Sequence, residues 1–174
     1  METKKMVLAA ILTAISVVID TAFKVIIPTQ LVGVPFYAIP IIIGAIILGT
    51  KYSVIIAVLG DIVSAVISPG VTPLPLFTFA ALFWGLIPGL FLYRNKYNGF
   101  VTGLIVLGTH LIVTSLNSFA LYVHFHRSLS GLLVDLPLRL LLIIPNTIII
   151  TALTRVVIES LKEVIEERYY LVRN

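Results

Sequence analysis

The sequence predicts an all-α membrane protein: six transmembrane helices, with both termini on the cytoplasmic side. Three observations carry that prediction. Of the 174 residues, 59% are hydrophobic and 11% are charged, and mean hydropathy is +1.12, whereas a globular domain carries about 25% charged residues. The apolar residues gather into stretches that can be drawn as spans at roughly 5–23, 36–50, 52–68, 76–93, 99–123 and 137–156. With those spans, Lys4, Lys5, Lys51, Arg94, Lys96, Arg155, Lys162, Arg168 and Arg173 share one side, and Lys24, Arg127 and Arg139 lie near the other. The positive-inside rule makes the first side cytoplasmic. Three connections, 24–35, 69–75 and 124–136, then face outward.

The first span carries Ala9, Ala10 and Ala14 on its cytoplasmic half, followed by Ser16. Ala10 and Ala14 share a face, and their lack of bulk allows close approach of another backbone, either within the bundle or from a separate membrane partner. The connection that follows holds Pro28, Gly33 and Pro35 and is otherwise mostly apolar; it is expected to fold back on the bundle as a lid. Spans two and three are short and meet at a tight turn, Gly49-Thr50-Lys51-Tyr52. The second outer connection holds Pro69, Gly70, Pro73 and Pro75. Span four is expected to kink near Pro88, and span six to begin at Pro137 with a second proline at 145. Beyond Arg155, Glu and Lys alternate with Val, Ile and Leu, an amphipathic cytoplasmic extension over 157–174. The spans account for most of the chain, so 1–174 reads as a single membrane domain.

Composition also excludes. The stretch after Lys4 and Lys5 is longer than a signal-peptide core and has no convincing cleavage site. The formal charge of +4 comes from membrane-flanking cations and is no nucleic-acid signal. There are no cysteines, which rules out disulfides, thiolate metal sites and cysteine nucleophiles. His110, His124 and His126 alone make no metal set, and no cofactor is expected. No phosphate loop is present, so the chain cannot fuel transport by hydrolysing ATP itself. Neither a His-Glu-x-x-His nor a Gly-x-Ser-x-Gly motif occurs, and the chain is not expected to be an enzyme.

Ionisable groups inside a membrane are costly and tend to line cavities or pathways. Asp61, in the outer half of span three, reads as an acceptor for a ligand or as a carboxylate paired with an arginine of the bundle. Arg139 either forks onto a ligand carboxylate or pairs with Asp135 one turn before it. Asn117 and Ser118 occupy the outer half of span five. Asn146 lies deeper and reads as a bridge between helices, and mid-membrane His110 as an interhelical hydrogen-bonder. Asp20 either snorkels or pairs with Lys24. Lys24 and Arg127 are interfacial or attract an anionic cargo. Phe77, Phe79, Trp84, Phe119 and Tyr122 supply aromatic walls or simply pack.

Several stretches together resemble the substrate-binding S components of energy-coupling factor (ECF) vitamin transporters. They are Ala10-Ile11-Leu12-Thr13-Ala14, Ile39–Gly44, Leu59-Gly60-Asp61, Phe77–Gly89, Leu116-Asn117-Ser118 and Leu136-Pro137-Leu138-Arg139-Leu140. Within that family the chain looks most like the folate-specific member. The resemblance implies vitamin capture at the extracellular side of a bacterial plasma membrane. Delivery inward would use a transmembrane coupling protein and two cytoplasmic ATPases. It also implies that the Ala10 and Ala14 face docks the coupling protein and that the first outer loop is a gate. For folate, Asp61 and Asn117 are candidates for the pterin edge, Trp84 or Phe77 for its face, and Arg139, Lys24 or Arg127 for the glutamate tail, with Ser118 a further binding candidate. Riboflavin, pantothenate and a queuosine precursor are the alternative cargoes, and a small membrane enzyme acting on lipid the reading from another class.

Overall fold

The computed structural model describes residues 2–26, 34–68, 71–95, 97–126 and 129–161, with the side chains of 125–135 outside that description. Most of the expected lid, Arg127, the side chain of Asp135 and the extension from 162 onward lie outside the described residues. The elements run α1 (Glu2–Ile26), α2 (Ala38–Leu48), α3 (Thr50–Ile67), α4 (Pro75–Leu92), α5 (Gly99–Leu121), a π-helical turn (Tyr122–His126) and α6 (Leu129–Ser160). Among the described residues there is no strand. Among the described residues, five helices are long and apolar enough to cross a membrane.

The sixth, α2, works differently. Its 11 residues rise about 17 Å, far short of the roughly 30 Å hydrocarbon core. Ten of them, from Ala38 to Leu48, are buried. A helix apolar on every side belongs at the centre of a bundle, and α2 packs on α1, α3, α4 and α6. The other helices shield it, so it need not span.

Two boundaries depart from the sequence reading. The turn between α2 and α3 is one residue, Gly49, at φ 90, where a side chain would be strained; Thr50 already opens α3. The helix expected to begin at Pro137 begins at Leu129, with Pro137 and Pro145 both inside α6, although its stretch apolar enough to cross a membrane starts at Leu136, close to the expected span. Much of the expected outer loop 124–136 is therefore helical. The residues before Pro137 include Leu132, Leu133 and Val134, good helix material, and one missing N–H does not stop the helix when its neighbours propagate it.

The register of α3 against α4 follows from three contacts. The hydroxyl of Ser53 donates to the carbonyl of Gly85 (2.8 Å). A methyl group at Gly85 would enter the Ser53 backbone, and one at Gly89 would reach Thr50 Cα (2.6 Å). Nearer the other end, Thr78 meets Asp61. The two helices are thus antiparallel, and Gly85-x-x-x-Gly89 lets their backbones touch, a small-residue interface of the kind that drives helix association in membranes. The α5–α6 pair is looser: a Cβ at Gly103 would sit 3.7 Å from Thr151, and one at Gly99 3.8 Å from Arg155.

Candidate functional site

At the end of the bundle that the charge pattern makes outer, polar side chains from four segments converge. On α1, Lys24 Nζ lies 2.7 Å from Asp20 Oδ2, one turn back, and also donates to Ser64 of α3 at 3.1 Å. Thr21 reaches the same Ser64 hydroxyl at 3.4 Å. Further along, the Thr78 hydroxyl of α4 donates to Asp61 Oδ2 of α3 at 2.6 Å. The described partner of Asp61 is therefore a hydroxyl, and the formal charges acting on it are those of Lys24 and Asp20.

Tyr37 joins these pairs. Its carbonyl accepts from Ser16 of α1 at 2.9 Å, and the adjacent Phe36 packs edge-on against Phe23 with centroids 5.2 Å apart. So fixed at the entry to α2, its phenol is exposed to the charges of both Asp20 and Asp61 and lies beside the Trp84 indole. Trp84 itself is fully buried, yet its Nε1 completes no hydrogen bond. The Tyr37 phenol oxygen is the acceptor within its reach, so a small shift of either ring completes that bond.

Below Trp84 the cluster continues to α5 and α6. His110 lies 5.5 Å from the indole, centroid to centroid, and its Nδ1 is 3.4 Å from the Thr147 hydroxyl. His110 thus ties α5 to α6, as its depth suggested. On outer α5, Asn117 Oδ1 and Ser118 Oγ are buried without a hydrogen-bond partner. Arg139 is half-buried on α6 and Phe77 half-buried on α4, while Phe79 and Phe119 are exposed. An amide oxygen and a hydroxyl on outer α5 are therefore buried without a protein partner, while the indole N–H on α4 faces the Tyr37 phenol.

The outer end of the bundle thus carries polar groups of a kind that can orient a ligand. Among the described residues there is no group of three acidic or histidine side chains able to hold a metal. A sequence profile described as "ECF transporter, substrate-specific component" matches residues 4–165. The chain belongs to that family. No curated protein sequence and no solved structure matches it. As an S component the chain is a multi-pass membrane protein that supplies substrate specificity to an ECF transporter. Its role is binding, not catalysis.

The sequence reading placed Asp61, Trp84 and Lys24 as site residues, and the structure gathers these around Tyr37. It missed Tyr37, Thr78 and Ser64. Thr78 had a signal: it and Asp61 stand at similar distances from the loop joining two antiparallel helices, so they must face one another if they share a side. Tyr37 had none, because its position depends on how α2 enters beneath α1.

Proposed function

We propose that this S component captures a folate-type vitamin at the outer end of the bundle and passes it inward with a coupling protein and two ATPases in a bacterial plasma membrane. The observation that supports the reading is the exchangeable carboxylate of Asp61 at the outer end, together with the buried Asn117 Oδ1 and Ser118 Oγ that have no protein partner on outer α5. A pterin edge presents a ring N–H and an amino group, which Asp61 and Asn117 can accept. Its ring nitrogens and carbonyl can in turn accept from Trp84 Nε1 and Ser118. Phe77 supplies an apolar wall at the rim, and Arg139 the charge for a carboxylate tail. Lys24, held by Asp20, closes the rim between α1 and α3.

One observation favours a second cargo. Asp20, Lys24 and Asp61 together carry a formal charge of −1, so a dianionic tail would have to be matched by Arg139 without help from Lys24. A queuosine precursor offers the same donor edge without that tail. Purification of the chain after expression in rich medium, followed by absorbance and mass analysis of the released ligand, separates the two. Release of a pterin supports the first, release of a pyrrolopyrimidine the second, and a ligand with neither ring removes both.

The coupling protein is assigned to the α1 face bearing Ala10 and Ala14. Both are exposed on α1, next to exposed Ile11, Ile15 and Val18, while Ala9 and Leu12 on the opposite face are buried. An internal small-residue contact would have buried Ala10 and Ala14. Their exposure leaves a flat strip for an outside helix.

A further inference from the structure

A cavity lies at the opposite, Lys- and Arg-rich end, away from every residue assigned to the cargo. It occupies about 290 Å³ between α2, α4 and the start of α5, with Ile46, Leu92, Tyr97, Asn98, Val101 and Thr102 among its walls. Thr102 is fully buried, and its hydroxyl and that of Tyr97 face one another with no other partner. Two hydroxyls bonded to each other use one proton between them, so one donor is left over. Burial raises the Tyr97 phenol above its ordinary range, so it stays a neutral donor. Asn98 caps α5, its Oδ1 accepting from the Phe100 and Val101 amides, which leaves its NH₂ outside the cap. The missing partner is therefore an acceptor, and it would stand at a helix N-terminus, where negative charge is favoured.

The walls say what carries that acceptor. Phe91 and Val101 line the cavity and are also exposed on the outer surface of the bundle, next to exposed Phe100 and Leu104. On a membrane protein that surface meets acyl chains. An occupant polar at the level of the helix ends and apolar along α4 and α5 is a lipid. Arg155 supplies charge: its field reaches Tyr97, and its side chain passes Gly99. Its Nε is held by Glu159 at 2.8 Å, but the pair is exposed. Such pairs are weak, and a guanidinium keeps other donors for a phosphate. Among the described residues, Glu159 is the acidic neighbour acting on Tyr97, and Arg155, paired with it, offsets its charge.

We infer that this cavity is a specific site for an anionic phospholipid of the cytoplasmic leaflet, its phosphate held by Tyr97, Thr102, Asn98 and Arg155 and its chain lying over Phe91 and Val101. The coupling protein is not the occupant. Its assigned face is on α1, which packs on α2 and α3, whereas α5 packs on α4 and α6.

Native mass spectrometry of the full chain in detergent, titrated with dioleoyl phosphatidylglycerol or phosphatidylcholine, tests this. The wild type should retain one phosphatidylglycerol, with about tenfold preference over phosphatidylcholine. Tyr97→Phe and Arg155→Gln should each cut retention about fivefold, the worth of one good polar contact. Exposed Lys51, at the same end but outside the cavity, is the control, and Lys51→Gln should retain lipid as the wild type does. Thr102→Val removes the buried hydroxyl without changing shape; if it does not fold, Tyr97→Phe decides alone. Equal retention in Tyr97→Phe, Arg155→Gln and wild type would overturn the site. So would equal retention of the two lipids. Displacement of phosphatidylglycerol by millimolar glycerol phosphate would make it a soluble-anion site and end the lipid assignment.

Discussion

The two halves of the α3–α4 pair are held together by different means. In the inner half the contact is backbone on backbone: Gly85 and Gly89 press against Ser53 and Thr50, and one buried hydrogen bond from Ser53 joins the helices. In the outer half the helices meet through the tips of side chains, Asp61 to Thr78, with Lys24 reaching across from α1 to Ser64. A backbone contact cannot exchange partners. A carboxylate accepting from a hydroxyl can accept from a ligand instead. The bundle thus has a fixed inner half and an outer half whose hydrogen bonds are exchangeable, which suits a protein that must bind at one end without losing its shape.

The largest expected effect breaks the fixed half. Gly85→Leu would drive a side chain into the Ser53 backbone, where nothing can give way, and overpacking at such a contact costs about 3 kcal/mol. Loss of the monodisperse peak in size-exclusion chromatography is the expected outcome. Gly103→Ala is the matched control, because its nearest neighbour is at ordinary contact distance (3.7 Å) and a helical Gly→Ala change favours the helix by about 1 kcal/mol. It should leave the thermal midpoint unchanged or raised. If both variants behave alike, the close approach of α3 and α4 is not what holds the inner half together.

Next in size is the outward face of α1. Ala10→Trp and Ala14→Trp should abolish assembly with the coupling protein while vitamin binding persists, since both positions are exposed and far from Asp61. A pull-down that recovers undiminished coupling protein would remove the docking assignment. Below that comes the exchangeable half. Asp61→Asn and Arg139→Ala should each weaken ligand binding more than about tenfold, or ~1.4 kcal/mol, without moving the thermal midpoint of the ligand-free protein by more than a few degrees. Titration calorimetry on the purified variants reads this directly, and unchanged affinity strikes the residue from the site.

The contrast between halves also explains which parts of the molecule were legible in the sequence. The six helices follow from hydropathy alone, because a membrane forces every apolar stretch to be helical. The role of α2 does not follow: Ile41, Ile42 and Ile43 would look the same facing lipid or facing protein, and only length hinted that α2 is the shielded centre. The start of α6 was misplaced because a proline reads as a beginning when the residues before it look like a loop. In the site, Asp61 and Trp84 stood out because each is expensive where it sits. Thr78, Ser64 and Tyr37 did not, since hydroxyls are cheap in a helix and become significant only when another helix delivers a charge to them. Gly85 and Gly89 were visible at small-residue spacing, but that spacing does not say which helix comes to rest on them.

The smallest effect is the most informative about cargo. Lys24 was a natural counter-charge for an anionic vitamin, yet its ammonium is already bound by Asp20 and Ser64. The Asp20 side chain is 12% exposed, so the pair is partly withdrawn from water and does not trade its partner freely. Lys24→Met should therefore lower ligand affinity about threefold or less, while lowering the thermal midpoint through loss of the α1–α3 contact. The double variant Asp20→Asn with Lys24→Met should recover part of that stability, because no charge is then left without its partner. If Lys24→Met instead costs about tenfold in affinity, and the loss shrinks as salt rises, then Lys24 leaves Asp20 to meet the ligand. That outcome would favour the dianionic folate tail over the neutral cargo, and the rim of the outer half would be exchangeable at its ion pair as well as at its hydroxyls.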